Sequence, residues 1–219
     1  MKTATSANRD TKIRILDAAE SLFAEHGFAA TSLRAITRHA NVNLAAVHYH
    51  FGSKEGLVEA VFSRRLGPLN QERLELLDAV EARGGELEDV LRALIGPALR
   101  LSRADSNDVV MRLLGRMFSE PSEKFQQIFT EQFREVATRF TAALQAVLPD
   151  LPAAEFFWRV HFMIGSMAHT MVDARRIQFF SGGLCDPADV EGNIDRLVTF
   201  VSAGFRAAPT PHDDAGGSP

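Results

Sequence analysis

Residues 31–62 read TSLRAITRHANVNLAAVHYHFGSKEGLVEAVF, and their spacing sets the architecture of the first part of the chain. Thr31 or Ser32 stands where a helix N-cap belongs, with Leu33 and Ile36 facing inward on the short segment that follows. Asn41–Val42 interrupts that segment, Asn43 offers a second cap, and LAAVHYHF makes another short helix before Gly52 and Ser53 open a third. Two short helices joined by a tight turn form a helix-turn-helix, whose second helix enters the major groove of DNA. The turn requires a residue tolerant of left-handed backbone, and Asn41 meets that need better than any residue but Gly. Val47 and Phe51, four positions apart, face the core of such a unit. Asn43, Leu44, Ala45, Ala46, His48, Tyr49 and His50 are then the candidates for the groove and its flanking phosphates. The alanines allow close approach and contact thymine methyls, and Asn43 can bond a base edge or a phosphate. Ser32 and Arg34 from the supporting helix join the DNA-binding set, and Lys54 adds a phosphate clamp at the start of the next helix.

The alternation His48-x-His50 raises the question of a metal site. Residues two apart on a helix point about 200° apart, so the two rings cannot share an ion. His161 and His169 are eight residues apart, roughly 12 Å along a helix, which is also too far. The single cysteine, Cys185, excludes an internal disulfide and a Cys-based zinc site. With no nucleophile–base pair, metal box or phosphate loop, no catalytic residue, metal or cofactor is expected, and the chain does not read as an enzyme.

Charge divides along the chain. Residues 1–65 carry nine Lys/Arg against six Asp/Glu and four of the seven His, whereas residues 66–219 carry fifteen against twenty-two. A basic first third on an acidic remainder places the polyanion-binding surface in the first third. No apolar run reaches the length of a membrane span, and MKTATSANRDTK has no apolar core of a leader; a cytoplasmic protein is expected.

Helical periodicity runs nearly throughout. Ile15, Ala19, Leu22 and Phe23 share one face of a first helix that ends at His26–Gly27. Four helices are expected within the first 65 residues, the fourth near 53–66 and ended by Gly67–Pro68. Longer ones are expected near 68–82, 86–103, 107–118, 121–147, 152–180 and 187–206. The expectation is an all-α protein of about nine helices. Its segments are a disordered N-terminus (1–9), a three-helix helix-turn-helix domain (10–66), a ligand-binding and dimerisation domain (67–207) and a disordered tail (208–219).

Sixteen Phe stand against one Tyr and one Trp, and Phe125, Phe129 and Phe133 form an i, i+4, i+8 stripe with Phe140 near its continuation. Such a stripe is ordinary core in most proteins; its functional alternative is a wall of a cavity for an apolar chain, where each buried CH₂ contributes about 0.8 kcal/mol. Met111, Leu113, Leu114, Met117, Phe118, Phe129, Phe133, Phe162, Met163 and Met167 are the candidates for that cavity, methionine supplying an adaptable lining. Arg112, Arg116 or Arg159 could meet an anionic head group, and each could equally be a surface arginine. In 152–180 and 187–206, small residues (Gly165, Ser166, Ala168, Ser202, Ala203, Gly204) alternate with large apolar ones, as in close helix packing within one chain or across a dimer.

The stretch 31–62 resembles the DNA-binding domain of TetR-type bacterial transcriptional regulators, with its threonine-led helix, apolar turn, aromatic pair before His-Phe, and Ser-Lys helix start. Asn41 stands where most members have Gly, and His48 where many have Tyr. NLAAVHYHFGSK, VFSRRLGPLN, MRLLGRMFS and FWRVHFMIGSMAHTM are further similar to the subgroup of the fatty-acid-responsive regulator PsrA. The resemblance implies an all-helical homodimer, paired through about 152–180 and 187–206. It also implies binding to palindromic double-stranded operator DNA and repression until a long-chain fatty acid, its acyl-CoA or another hydrophobic molecule binds.

Overall fold

A computed structural model describes residues 2–103, 111–113, 115, 123–172 and 174–210. Every regular element among them is a helix, and ten are bounded. They are α1 (Lys2–His26), α2 (Leu33–Ala40), α3 (Leu44–Phe51), α4 (Lys54–Ala82), α5 (Leu87–Arg103), α6 (Glu123–Gln132), α7 (Arg134–Val147), α8 (Ala153–Val172), α9 (Ala174–Phe180) and α10 (Val190–Arg206). Among the described residues no helix is long and apolar enough to cross a membrane. The chain divides into two compact units: Met1–Arg73 with Leu101–Ala137, and Leu74–Arg100 with Thr138–Pro219.

In the first unit α1 supplies Ile15, Ala19 and Phe23, α2 Ile36, α3 Val47, and α4 Leu57, Val58, Val61 and Phe62 to one core. Eight-residue helices such as α2 and α3 cannot hold themselves in water, so this shared core is what makes them helical. Phe125 of α6 enters the same core, its ring 5.5 Å from Phe28 and 5.4 Å from Phe62. Phe129 lies 5.7 Å from Phe62 and 4.7 Å from Phe133. The phenylalanine stripe is therefore built into the unit that carries the helix-turn-helix.

The second unit buries Leu91 and Ile95 of α5, Phe140 and Leu144 of α7, Phe156 and Met163 of α8, and Ile194, Val198 and Phe205 of α10. Arg92 pairs with Asp195, Arg100 with Glu191 and Arg206 with Glu88, all joining α5 to α10 at the surface. Hydrogen bonding from Arg206 pushes the Glu88 carboxyl down to about 2. Arg159 is buried on α8: its Nη1 donates to the carbonyls of Phe205 (2.8 Å) and Ala207 (2.9 Å), while Nη2 donates to Glu155 (3.0 Å). It closes the C-terminal end of α10, where orphan carbonyls attract a cation. It is thus a structural arginine, not a head-group ligand.

Several expected boundaries are corrected. Helix α1 begins at Lys2, so residues 2–9 are helical where disorder was expected; extending a nucleated helix costs little per residue. The expected helices 53–66 and 68–82 are one, with Pro68 inside α4. Proline in a helix interior costs ~3 kcal/mol. Pro68 is exposed, however, while Leu66 and Leu69 on either side are buried, so packing holds the helix through it. The expected helix 121–147 is two, and at the junction Asn70 Nδ2 donates to the Gln132 carbonyl (2.7 Å). Phe133 N–H donates there to the Thr130 carbonyl (3.1 Å). Both parts of the expected 152–180 are helical, as α8 and α9, and Asp173 between them lies outside the described residues. Most of 107–118 and the tail beyond residue 210 also lie outside them.

Candidate nucleic-acid interface

The helix-turn-helix is assembled by local caps and two long-range cationic struts. Ser32 is the N-cap of α2, its Oγ accepting from Ala35 N–H (3.1 Å). Thr31 instead is buried, and its hydroxyl donates to the Gly27 carbonyl (2.7 Å) at the end of α1. Asn41 closes α2 in the left-handed region (φ 51°, ψ 53°), as the turn requires. Val42 N–H then reaches back to the Thr37 carbonyl (3.0 Å), and its half-buried side chain packs on the core. Asn43 is the N-cap of α3, its Oδ1 accepting from Ala46 N–H (2.8 Å).

Arg14 of α1 donates to the carbonyls of Ala40 (2.5 Å) and Asn41 (2.6 Å), pinning the turn between α2 and α3. This residue is invisible to local pattern reading. Its one signal is that helix C-terminal carbonyls recruit cations, and the partner lies 26 residues away. Replacing Arg14 by Ala is expected to cost about 1–2 kcal/mol of stability in a urea melt. It should also weaken DNA binding in a fluorescence-anisotropy titration several-fold beyond any loss of folded protein. Equal DNA affinity would show that the turn needs no brace.

On α3 the faces separate cleanly. Val47 is fully buried and Phe51 is half-buried against the core, while Leu44, Ala45, His48 and Tyr49 (76% exposed) form the outer face at i, i+1, i+4 and i+5. Ala46 and His50 sit half-buried at its margins, the His50 ring 5.0 Å from Tyr49 and 6.0 Å from Phe51. His48 Nδ1–H donates to the Gly52 carbonyl (2.9 Å), where Gly52 turns the chain at φ 73°. That bond fixes the orientation of the ring. Arg34, Arg38 and His39 are exposed on α2.

Lys54 departs from a simple phosphate clamp. It is half-buried, its ammonium donates to the Phe28 carbonyl (2.5 Å), and it lies 4.3 Å from the centre of the Phe28 ring. It ties the start of α4 to the α1–α2 connection, so its charge is largely committed within the protein. The α1 side chain Lys12 lies 5.9 Å over the Phe51 ring beside α3.

Of the expected cavity residues that are described, Met111, Leu113, Phe129 and Phe133 belong to the first unit and Phe162, Met163 and Met167 to the second. Phe129 and Phe133 are half-buried and pack against the helix-turn-helix core, and Met111 is half-buried. On α8, Met163 is buried and Met167 half-buried, but Phe162 is exposed and stacks on Trp158 at 5.8 Å. Phe162 thus faces outward on α8, not into a cavity beside its neighbour Met163. Leu113 is buried in the first unit's core, Arg112 is exposed, and Leu114, Arg116, Met117 and Phe118 lie outside the described residues.

Two family models match the chain. Residues 15–61 match bacterial regulatory proteins of the tetR family, and residues 92–204 match the tetracyclin repressor-like C-terminal domain. The Bacillus subtilis protein YvkB, an uncharacterised helix-turn-helix-type transcriptional regulator, is 30% identical over 142 residues, which is 65% of this chain and 66% of YvkB. Among solved structures, the fatty acid degradation regulator FadR from Bacillus halodurans superposes with a TM-score of 0.66 at 14% identity, over 90% of this chain and 97% of FadR. NalD of Pseudomonas aeruginosa, the secondary repressor of a multidrug efflux pump, does so with a TM-score of 0.61 at 22% identity, over 90% and 97%. At those identities the two structures testify to the fold alone. The matches at both ends of the chain, together with the capped helix-turn-helix, lead to one assignment: the chain belongs to the TetR family of bacterial transcriptional regulators.

Proposed function

We propose that the protein is a homodimeric repressor whose α3 reads operator DNA and whose remaining helices bind an apolar effector that releases it. The observation that carries the DNA-binding reading is the outer face of α3. An uncovered Tyr49 beside Ala45 and Leu44 is costly display on a lone surface, and it suits a groove lined by base edges and thymine methyls. In this reading 10–66 is the DNA-binding domain and 67–207 the effector and dimerisation domain. Asn43, Ala46 and His50 border the groove, and Ser32, Arg34 and Lys54 lie beside the phosphates.

Dimerisation is supported by the face that α8 and α10 leave open. Phe157, Trp158 and Phe162 of α8 and Phe200 of α10 are all more than half exposed, more apolar surface than a soluble monomer displays without purpose. A two-fold dimer places two α3 helices on a palindrome, roughly 34 Å or a multiple apart. The double substitution Phe162→Asp with Phe200→Asp should yield a monomer in sedimentation equilibrium and abolish operator binding. A variant that remains dimeric would place the interface elsewhere.

A long-chain fatty acid or acyl-CoA is the effector favoured by the PsrA-like segments, and repression is the mode they imply. A regulator of an efflux or stress operon answering a different hydrophobe is the second reading. Release requires only that effector bind better to the conformation whose recognition helices are wrongly spaced. Helix α4 carries that coupling: it contributes to both compact units and runs unbroken through Gly67–Pro68, where a helix end was expected. Titrating saturated fatty acids of increasing length into the DNA complex tests the effector. Release that strengthens with chain length supports the acyl reading; release only by uncharged drug-like hydrophobes transfers the role to the second.

A further inference from the structure

Beyond the end of α8 the chain displays a second set of large apolar side chains. Phe179 and Phe180 of α9 are 82% and 74% exposed, Leu184 in the following turn is 92% exposed, and Ile177 is half-exposed. The backbone of this segment is nevertheless held by its own hydrogen bonds. Gly182 and Gly183 close α9 in the left-handed region, at φ 61° and 87°. Gly183 N–H donates to the Gln178 carbonyl (2.9 Å) and Gly182 N–H to that of Phe179 (3.2 Å), the paired bonds of a Schellman cap. Ser181 Oγ accepts from Cys185 N–H (3.0 Å), and Asn193 of α10 donates to the carbonyls of Asp186 (3.4 Å) and Pro187 (3.3 Å), tying down the far end. Apolar side chains held out on such a backbone make a preorganised contact surface, because little chain entropy remains to be lost on binding.

We propose that 174–189 is a docking arm whose partner is a second copy of this chain, widening the face through which α8 and α10 pair. The inference rests on the dimer reading above and adds a separate surface to it. Continuity is the first argument for this occupant. The arm connects the two helices that carry the open face, and exposed Ile164 and Val172 continue the apolar display along α8 from Phe162 to the start of the arm. A two-fold pairing of those helices gives both arms equivalent places at the rim of the interface. Area is the second. Phe157, Trp158, Phe162 and Phe200 offer roughly 500 Å² at their exposures, against about 800 Å² per partner in a standard interface and more in obligate homodimers. Ile177, Phe179, Phe180 and Leu184 add a comparable area and bring the apolar surface into that range. Charge is the third. Residues 173–189 carry two Arg against three Asp, the wrong balance for an anionic membrane surface, which draws on clustered Lys and Arg.

Sedimentation equilibrium of the full chain, as wild type and as the double variant Phe179→Ser with Phe180→Ser, tests this. The dimer dissociation constant of the variant should rise at least ~100-fold, since four covered rings are removed from each dimer. Both residues are exposed within the chain, so the helical circular dichroism should match that of the wild type. Leu184→Asp gives a second route if the double variant does not fold: a charge placed in the covered arm should raise the constant more than ~10-fold. A folded variant of either kind that dimerises as tightly as the wild type overturns the arm and leaves the α8–α10 dimer standing. Co-sedimentation of the wild type with phosphatidylglycerol vesicles, lost in the double variant at an unchanged dimer constant, gives the arm to a membrane and overturns the proposal too. A wild type that is monomeric at every concentration overturns the dimer reading beneath it, so the two failures are told apart.

Discussion

Replacing Arg159 by Met is expected to destabilise the second unit by about 3–5 kcal/mol, the cost of removing one partner of a buried ion pair. The guanidinium bonds the carbonyls of Phe205, Ala207 and Ala208 and the carboxylate of Glu155, and both charged side chains are about nine-tenths buried. Methionine fills much of the volume and satisfies none of these acceptors, so a buried carboxylate and the end of α10 are left unpaired. The thermal midpoint should fall by roughly 6–20 °C at this chain length. Adding Glu155→Leu should recover part of the loss, since the stranded carboxylate is then gone while the carbonyls remain unpaired. A fall of only a degree or two would show Arg159 to be dispensable to the fold and reopen its role as a head-group ligand.

Phe125→Ala is expected to cost a similar ~3–5 kcal/mol, the usual range for a buried Phe truncated in a packed core. Its ring contacts Phe28 and Phe62, and both belong to the core that holds α2 and α3 in place. The loss should therefore be read twice, in a denaturant melt and in weakened operator binding at temperatures where the variant is partly unfolded. If Phe125 instead lined an open effector cavity, truncation would change which ligands bind and cost well under ~2 kcal/mol. That outcome would contradict its placement in the core.

The helix-turn-helix was legible because its determinants are local. Capping by Asn43, a left-handed residue at Asn41, and the burial of Ile36, Val47 and Phe51 all follow from spacing within a few residues. What escaped was non-local. Arg14, Lys54 and Asn70 bond backbone carbonyls 26 or more residues away, and nothing in their neighbourhoods announces it. Reading Pro68 as a helix end hid the buried face shared by Leu66, Leu69, Asn70 and Arg73, because that face exists only if the helix is continuous. The phenylalanines showed the reverse difficulty. Their spacing marked a buried face correctly, but periodicity does not say which elements cover it, and α6 buries Phe125 in the DNA-binding core.

That the exposed face of α3 reads operator DNA is tested most directly by fluorescence anisotropy of the wild-type dimer and Tyr49→Ala on a selected genomic fragment and a scrambled control. Specific binding is expected, with an affinity that falls steeply with salt. Tyr49→Ala, a substitution on the solvent face that leaves the melt unchanged, should bring the selected fragment down toward the scrambled one. No fragment bound specifically at low ionic strength, or specificity untouched by the loss of Tyr49, would refute this role for α3.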